Sequence, residues 1–66
     1  MKKFSVASSS TDDALKHAIV EANDWLSAYL QVDPEGASCF TCAPILYEDA
    51  QYYAAENDWQ FSVIEL

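Results

Sequence analysis

Two cysteines three positions apart are the first residues of this chain that suggest chemistry. Cys39 and Cys42 form a C-x-x-C motif. A redox pair of this type needs its first cysteine at a helix N-terminus, where the helix dipole lowers the thiol pKa. The residues around this motif are instead typical of a strand, in which positions i and i+3 point to opposite faces. We therefore expect buried or half-buried structural cysteines, with a redox pair or a metal site as the alternative.

The single histidine and two pairs of neighbouring acids are the other candidates for catalysis or metal binding. A zinc site needs more ligands than His17 and one C-x-x-C supply. As a general base, His17 needs a nucleophile within reach, and no serine lies in a G-x-S-x-G setting. Adjacent acids occur at 12–13 and 48–49, but so short a chain offers little pocket in which to shift one carboxyl pKa. We expect an exposed His17 and no catalytic residue, cofactor or metal.

The charge is one-sided. Eleven acids stand against three lysines, and the formal net charge is −8 at pH 7. From His17 to Leu66 there are nine acids and no lysine or arginine. Like charges repel one another across a compact surface, so this distribution indicates either a surface for a basic partner or acidity that serves solubility. The same charge disfavours direct binding to nucleic acid or to an anionic membrane.

Aromatic residues lie among these acids in the second half of the chain. An aromatic ring beside carboxylates can receive arginine and lysine side chains through cation–π contact and ion pairing. Packing of the tyrosines on a sheet is the alternative. The residues that we predict to bind a partner are Asp13, Glu21, Asp24, Glu48, Asp49, Tyr52, Tyr53, Glu56 and Asp58.

A long amphipathic helix from Ser10 to Leu30 is the main predicted element. Ser10 or Thr11 would cap its N-terminus, and the acids that follow would lie at the positive end of its dipole. His17 and Asp24 would lie on its polar face. Its apolar stripe would consist of residues recurring at spacings of three and four, namely Leu15, Ala18, Ile19, Ala22, Trp25, Leu26, Tyr29 and Leu30.

Three strands are predicted beside this helix. They run from Lys3 to Ala7, from Ser38 to Tyr47 with an interruption at Pro44, and from Trp59 to Leu66. Residues 48–57 fit a short helix or a strand, and we prefer the helix. The aromatic residues expected in the core are Phe4, Phe40, Trp59 and Phe61.

These elements predict one α+β domain over residues 1–66, with one long amphipathic helix packed on a small three-stranded sheet and a second short helix beside it. The hydrophobic content of 52% argues against disorder. A single helix covers one face of such a sheet, which leaves the other face to a partner or a second subunit.

The chain resembles the small acidic inhibitor proteins encoded by phages and mobile elements, which include anti-CRISPR proteins and other DNA mimics. The resemblance rests on its length, its acidic composition without arginine and its lack of catalytic motifs. It implies a non-enzymatic protein that blocks the nucleic-acid site of a basic partner, such as a CRISPR effector, as a monomer or homodimer. The alternative is an accessory or adaptor protein that acts through protein–protein contacts or dimerisation.

The sequence also predicts a compartment. No apolar segment follows Met1, Lys2 and Lys3, so we expect no secretory leader. Two cysteines without such a leader indicate a reducing cytoplasm. No apolar run is long enough to span a bilayer.

Overall fold

The computed structural model, which describes residues 1–42 and 44–66, has the predicted α+β architecture with a three-stranded antiparallel sheet. The strand order is β2-β1-β3. Within the described residues no helix is long and apolar enough to cross a membrane. The elements in chain order are β1 (Lys2–Ser10), β2 (Lys16–Ala22), α1 (Trp25–Val32), α2 (Pro34–Ala37), a 3₁₀ turn (Ser38–Phe40), α3 (Tyr47–Glu56) and β3 (Trp59–Glu65).

The predicted long helix is wrong, because the chain reverses near its expected start. The Ser10 hydroxyl accepts hydrogen bonds from the backbone N–H groups of Asp12 at 3.3 Å and Asp13 at 3.0 Å. A serine that caps a helix makes similar bonds, so the same local chemistry serves a turn here. The turn brings β2 back alongside β1, with Ser8 opposite Lys16 and Lys2 opposite Ala22.

The sequence of β2 fits a strand as well as the predicted helix. Burial alternates along the strand with period two, so that Ala22 is buried while Ile19 is 55% exposed. A short apolar segment fits both the helical and the strand period, and β-branched residues favour the strand. The predicted stripe is consequently broken up: Leu15 and Leu30 are also exposed, whereas Tyr29 is fully buried.

Helix α1 begins much later than predicted, at an N-cap formed by Asp24. The Asp24 carboxylate accepts from the backbone N–H of Ser27 at 2.7 Å. The helix ends at Val32, and Asp33 then caps α2 by accepting from the N–H of Gly36 at 3.2 Å. Pro34 then occupies the first turn of α2, where its missing N–H costs nothing.

The predicted strand from Ser38 to Tyr47 is also wrong, and position 43 within it lies outside the described residues. The segment opens with the 3₁₀ turn, which buries Phe40 and leaves both Cys39 and Cys42 exposed. The expectation of buried cysteines therefore fails. The place of this strand in the sheet is taken by β2, which a short loop joins to β1.

The other elements agree with the sequence. Strand β1 includes the predicted residues 3–7, residues 48–56 are helical, and β3 covers all but the last residue of the predicted third strand. Three of the four aromatic residues assigned to the core, Phe4, Phe40 and Phe61, are at most 6% exposed. Trp59 is half-buried.

Phe61 lies at the centre of the aromatic core. Its ring stacks on Tyr29 of α1 with centroids 4.3 Å apart and on Trp25 with centroids 6.0 Å apart. The Tyr47 ring of α3 meets it edge-on at 5.8 Å. Strand β3 is thus held against both longer helices through one side chain.

We expect Phe61→Ala to unfold most of the protein at room temperature. Truncating a buried phenylalanine costs about 3–5 kcal/mol, which is comparable to the whole stability of so small a domain. Ile64→Ala is the matched control on the same strand, because Ile64 is 58% exposed. Far-ultraviolet circular dichroism during urea titration measures both, and near-parental stability of Phe61→Ala would contradict this account of the core.

Candidate functional site

The outward side of α3 is an acidic face, which we define as Glu48, Asp49, Tyr52 and Glu56. All four side chains are exposed, with Tyr52 at 69%. Ala50 and Ala54 on the opposite side of the helix are fully buried against the core. Because a helix turns about 100° per residue, these small inward residues direct the acids and Tyr52 into solvent.

Asp58 lies immediately beyond this face, in the turn that follows α3. Its backbone has a φ of 66°, the left-handed conformation that aspartate and asparagine tolerate better than most residues. The turn is held by Asn57, whose side-chain amide donates to the Tyr53 carbonyl at 2.8 Å. Asp58 is thus an exposed acid that follows the C-terminus of α3.

The two adjacent tyrosines of α3 have different roles. Tyr53 makes edge-on contacts with Phe40 and Trp59, each at a centroid distance of 5.8 Å, and is 45% exposed. Tyr52 belongs to no aromatic pair within the described part of the chain. Packing therefore accounts for Tyr53, whereas Tyr52 is free to meet a partner.

The other predicted partner-binding acids do not share a helix face as expected. Asp13 lies in the loop between β1 and β2, Glu21 lies on β2 opposite Lys3, and Asp24 caps α1. The hydrogen bond from the Ser27 N–H lowers the pKa of Asp24, which fits its structural role. Their part in partner binding stays a prediction.

A buried polar cluster, formed by Ser8, Tyr29 and Asp33, was missed by the sequence analysis. The Ser8 hydroxyl donates to Asp33 Oδ2 at 2.9 Å, and the Tyr29 hydroxyl donates to the same oxygen at 3.2 Å. Tyr29 is fully buried, and Ser8 and Asp33 are at most 9% exposed. The one available signal was the position of Ser8 in the period-two pattern of β1, on the same face as Phe4 and Val6.

Three neighbours complete the bonding of this cluster. Trp59 Nε1 donates to the Tyr29 hydroxyl at 3.0 Å, and the Gly36 N–H donates to Asp33 Oδ1 at 3.2 Å. Lys16 Nζ lies 3.6 Å from the same Asp33 oxygen. None of the buried side-chain nitrogen and oxygen atoms in the described residues lacks a hydrogen-bond partner.

The ionisation of the cluster follows from this bonding. Burial alone raises the pKa of Asp33, but the hydrogen bonds from Gly36 and Ser8 and the charge of Lys16 outweigh burial and lower it below its usual value. Burial raises the pKa of Tyr29. Asp33 is therefore a carboxylate at neutral pH, and Tyr29 is a neutral phenol that donates to it.

A cavity of about 390 Å³ opens over this cluster, between the β1–β2 loop and α2. Its lining includes the Lys16–Asp33 pair, Trp59, Asp13 and Asp58. No group of three or more His, Cys, Asp or Glu side chains in residues 1–42 and 44–66 is placed to hold a metal ion.

Comparisons with protein-family models, with curated proteins and with solved structures gave no match to this chain. Function must therefore be inferred from the acidic face and the buried cluster.

We expect Gly36→Ala to lower the melting temperature. An added Cβ would lie 2.5 Å from Asp33 Oδ2 and 2.6 Å from the Tyr29 hydroxyl. The intrinsic gain in helix propensity is about 1 kcal/mol, whereas overpacking a buried site costs about 1–3 kcal/mol, so the loss should prevail. Glu35→Ala, at an exposed position of the same helix, is the control. A melting temperature of Gly36→Ala at or above that of the parent would show that Asp33 and Tyr29 move to accommodate the added methyl group without loss of stability.

Asp33→Asn should change how stability depends on pH. Because the pKa of Asp33 is lowered by folding, its contribution is complete above the unfolded-state value of about 3.9 and is lost as the pH falls through the folded-state value. The variant should be less stable than the parent at neutral pH and should lose less stability below about pH 4. Urea unfolding across the acidic range tests this, with Asp12→Asn as the control. Equal acid sensitivity of parent and Asp33→Asn would refute it.

Proposed function

We propose that this chain is a non-enzymatic inhibitor that uses the acidic face, together with Asp58, to occupy the nucleic-acid site of a basic protein. The observation that carries the proposal is that four exposed carboxylates lie along α3 and the turn after it, in a chain with no lysine or arginine beyond residue 16. The proposed partner is a nucleic-acid-binding protein or complex, such as a CRISPR effector.

Carboxylates can take the place of phosphates in such a site. Both groups present compact anionic oxygens, which arginine binds in bidentate fashion and lysine binds as a point charge. An exposed ion pair contributes only about 0–1 kcal/mol, so binding needs several pairs at once. Tyr52 adds an aromatic face beside the acids, and a cation–π contact there is worth about 0.5–1 kcal/mol.

The lysines lie away from the acidic face, which supports the proposed binding of a basic partner there. Lys2 lies 3.7 Å from Glu65, and Lys16 lies 3.6 Å from Asp33. All three lysines are on β1 and β2, whereas the acidic face is on α3. The negative potential of the acidic face is therefore not offset by a cation on its own helix.

A second candidate function, that of an adaptor acting through protein–protein contacts, is favoured by the sheet. The helices pack on the face formed by Phe4, Val6 and Phe61, whereas Ile19 and Ile64 on the opposite face are 55% and 58% exposed. In this alternative the acidic residues serve solubility.

A competition assay tests the inhibitor. Increasing amounts of the chain are added to a guide-loaded CRISPR effector in the presence of labelled target DNA, and DNA binding is measured at several salt concentrations. We expect the chain to displace the DNA, with a potency that falls as salt screens the charges. In the triple variant Glu48→Gln, Asp49→Asn and Glu56→Gln, potency should fall at least about tenfold, which corresponds to about 1.4 kcal/mol.

A matched triple variant controls for overall charge. Asp12→Asn, Glu35→Gln and Glu65→Gln remove the same number of charges from exposed positions away from α3. This control should keep most of the potency. Equal loss in both variants would mean that total charge rather than the acidic face acts, and parental potency of the α3 variant across all salt concentrations would contradict the proposal.

A further inference from the structure

The two edges of the sheet differ in how their backbone groups are used. In an antiparallel sheet, alternate residues of a strand direct both N–H and C=O toward the same neighbour. The Leu66 N–H donates to the Lys3 carbonyl at 2.9 Å, so the even-numbered residues of β3 bond to β1. The odd-numbered residues of β3 therefore direct their N–H and C=O groups outward in the plane of the sheet, on the side away from β1.

Side chains of helix α3 bond to the middle of the β3 edge. The Val63 N–H donates to the Tyr47 hydroxyl at 2.8 Å, and Gln51 Nε2 donates to the Phe61 carbonyl at 3.0 Å. Both groups belong to odd-numbered residues of β3. A strand from another molecule would have to displace these side chains to pair here, which is one way in which proteins protect sheet edges.

The β2 edge is closed at only one end. The register pairs Phe4 with Val20 and Val6 with Ala18, so the even-numbered residues of β2 bond to β1 and the odd-numbered residues face outward. Gln31 Nε2 donates to the outward carbonyl of Glu21 at 2.8 Å. Within the described part of the chain, the outward backbone groups of His17 and Ile19 have no such cap.

We propose that a second copy of this chain pairs with this open edge, β2 against β2, to form a continuous six-stranded antiparallel sheet. The two-fold axis passes beside Ile19, which faces the partner's Ile19. His17 then faces the partner's Glu21, and the reverse pair forms on the other side of the axis. The Ile19 pair exchanges two backbone hydrogen bonds, because Ile19 directs both its N–H and its C=O outward. At each flanking pair the Glu21 N–H donates to the partner's His17 carbonyl, whereas the Glu21 carbonyl keeps its bond from Gln31.

Electrostatic complementarity selects a second copy as the occupant. The polar side chains on the outer face of β2 are the imidazole of His17, a hydrogen-bond donor, and the carboxylate of Glu21, an acceptor. Self-pairing places the His17 imidazole beside the partner's carboxylate, and a hydrogen bond to a charged acceptor is stronger than one between neutral groups. The Ser5 hydroxyl lies 3.1 Å from His17 Nε2 and helps to hold the imidazole on the outer face.

The dimer should be weak. Added salt should strengthen it, whereas added salt should weaken the binding of a basic partner to the acidic face. A stable interface buries about 800 Å² on each partner, more than a pair of edge strands provides, so we expect a dissociation constant between about 10 μM and 1 mM. Salt screens the repulsion between two chains of charge −8 and should strengthen the dimer.

Sedimentation equilibrium up to about 1 mM protein tests the inference. We expect a mass that rises with concentration from 7.4 kDa toward twice that value. The Ile19 amide should become at least about tenfold more protected from hydrogen exchange as the dimer forms. Ile19→Pro should abolish dimerisation while leaving the β1 pairing intact, because it removes only an outward N–H. Ile64→Lys, which adds a charge to the open sheet face away from the β2 edge, should leave the dimer unchanged.

A charge exchange gives a second test that does not depend on proline being tolerated. His17→Glu should weaken dimerisation at least tenfold, and the double variant His17→Glu with Glu21→His should recover it. A strictly monomeric parent up to the highest concentration would overturn the proposal. A dimer that survives Ile19→Pro but is lost in Ile64→Lys would overturn it as well, because the sheets would then pack face to face.

Discussion

The need to satisfy one buried carboxylate constrains most of this fold. Asp33 receives hydrogen bonds from Ser8 of β1, Tyr29 of α1 and Gly36 of α2. Lys16 of β2 supplies a charge, and Trp59 of β3 binds the cluster through Tyr29. A buried polar group left without a partner costs about 1–3 kcal/mol, a large fraction of the stability of a domain this small. All three strands and two helices must therefore keep their relative positions for this one group to remain paired.

The helices also determine which parts of the sheet stay accessible. They bury its inner face, and side chains from α1 and α3 bond to outward backbone groups on both edge strands. What remains open is the outer face and the middle of β2. The outer face carries little net charge there, because Glu21, the one acid of β2, lies opposite Lys3 of β1.

Positive and negative charges consequently lie on different parts of the molecule. All acids except Asp33 are exposed, and four of them are concentrated on α3 and its following turn. The lysines are confined to β1 and β2, and two of them are engaged in ion pairs. A basic partner and a second copy of the chain would thus find different surfaces, so the proposed inhibitor role and the proposed dimer do not compete for the same residues.

By itself, the sequence determined the fold class, β1, β3, the burial of Phe4, Phe40 and Phe61, and the exposure of the acids on α3, although it left helix and strand open for residues 48–57. Each depends on strong local periodicity or on composition, which neighbouring segments do not override. The tertiary structure decided whether residues 16–22 form a helix or a strand, because their small apolar residues fit both periods and only pairing with β1 separates the two. It also decided the Asp33 cluster and the edge caps, in which bonded side chains lie up to 30 positions apart in sequence. No local pattern encodes such contacts, because they exist only once the strands and helices are packed together.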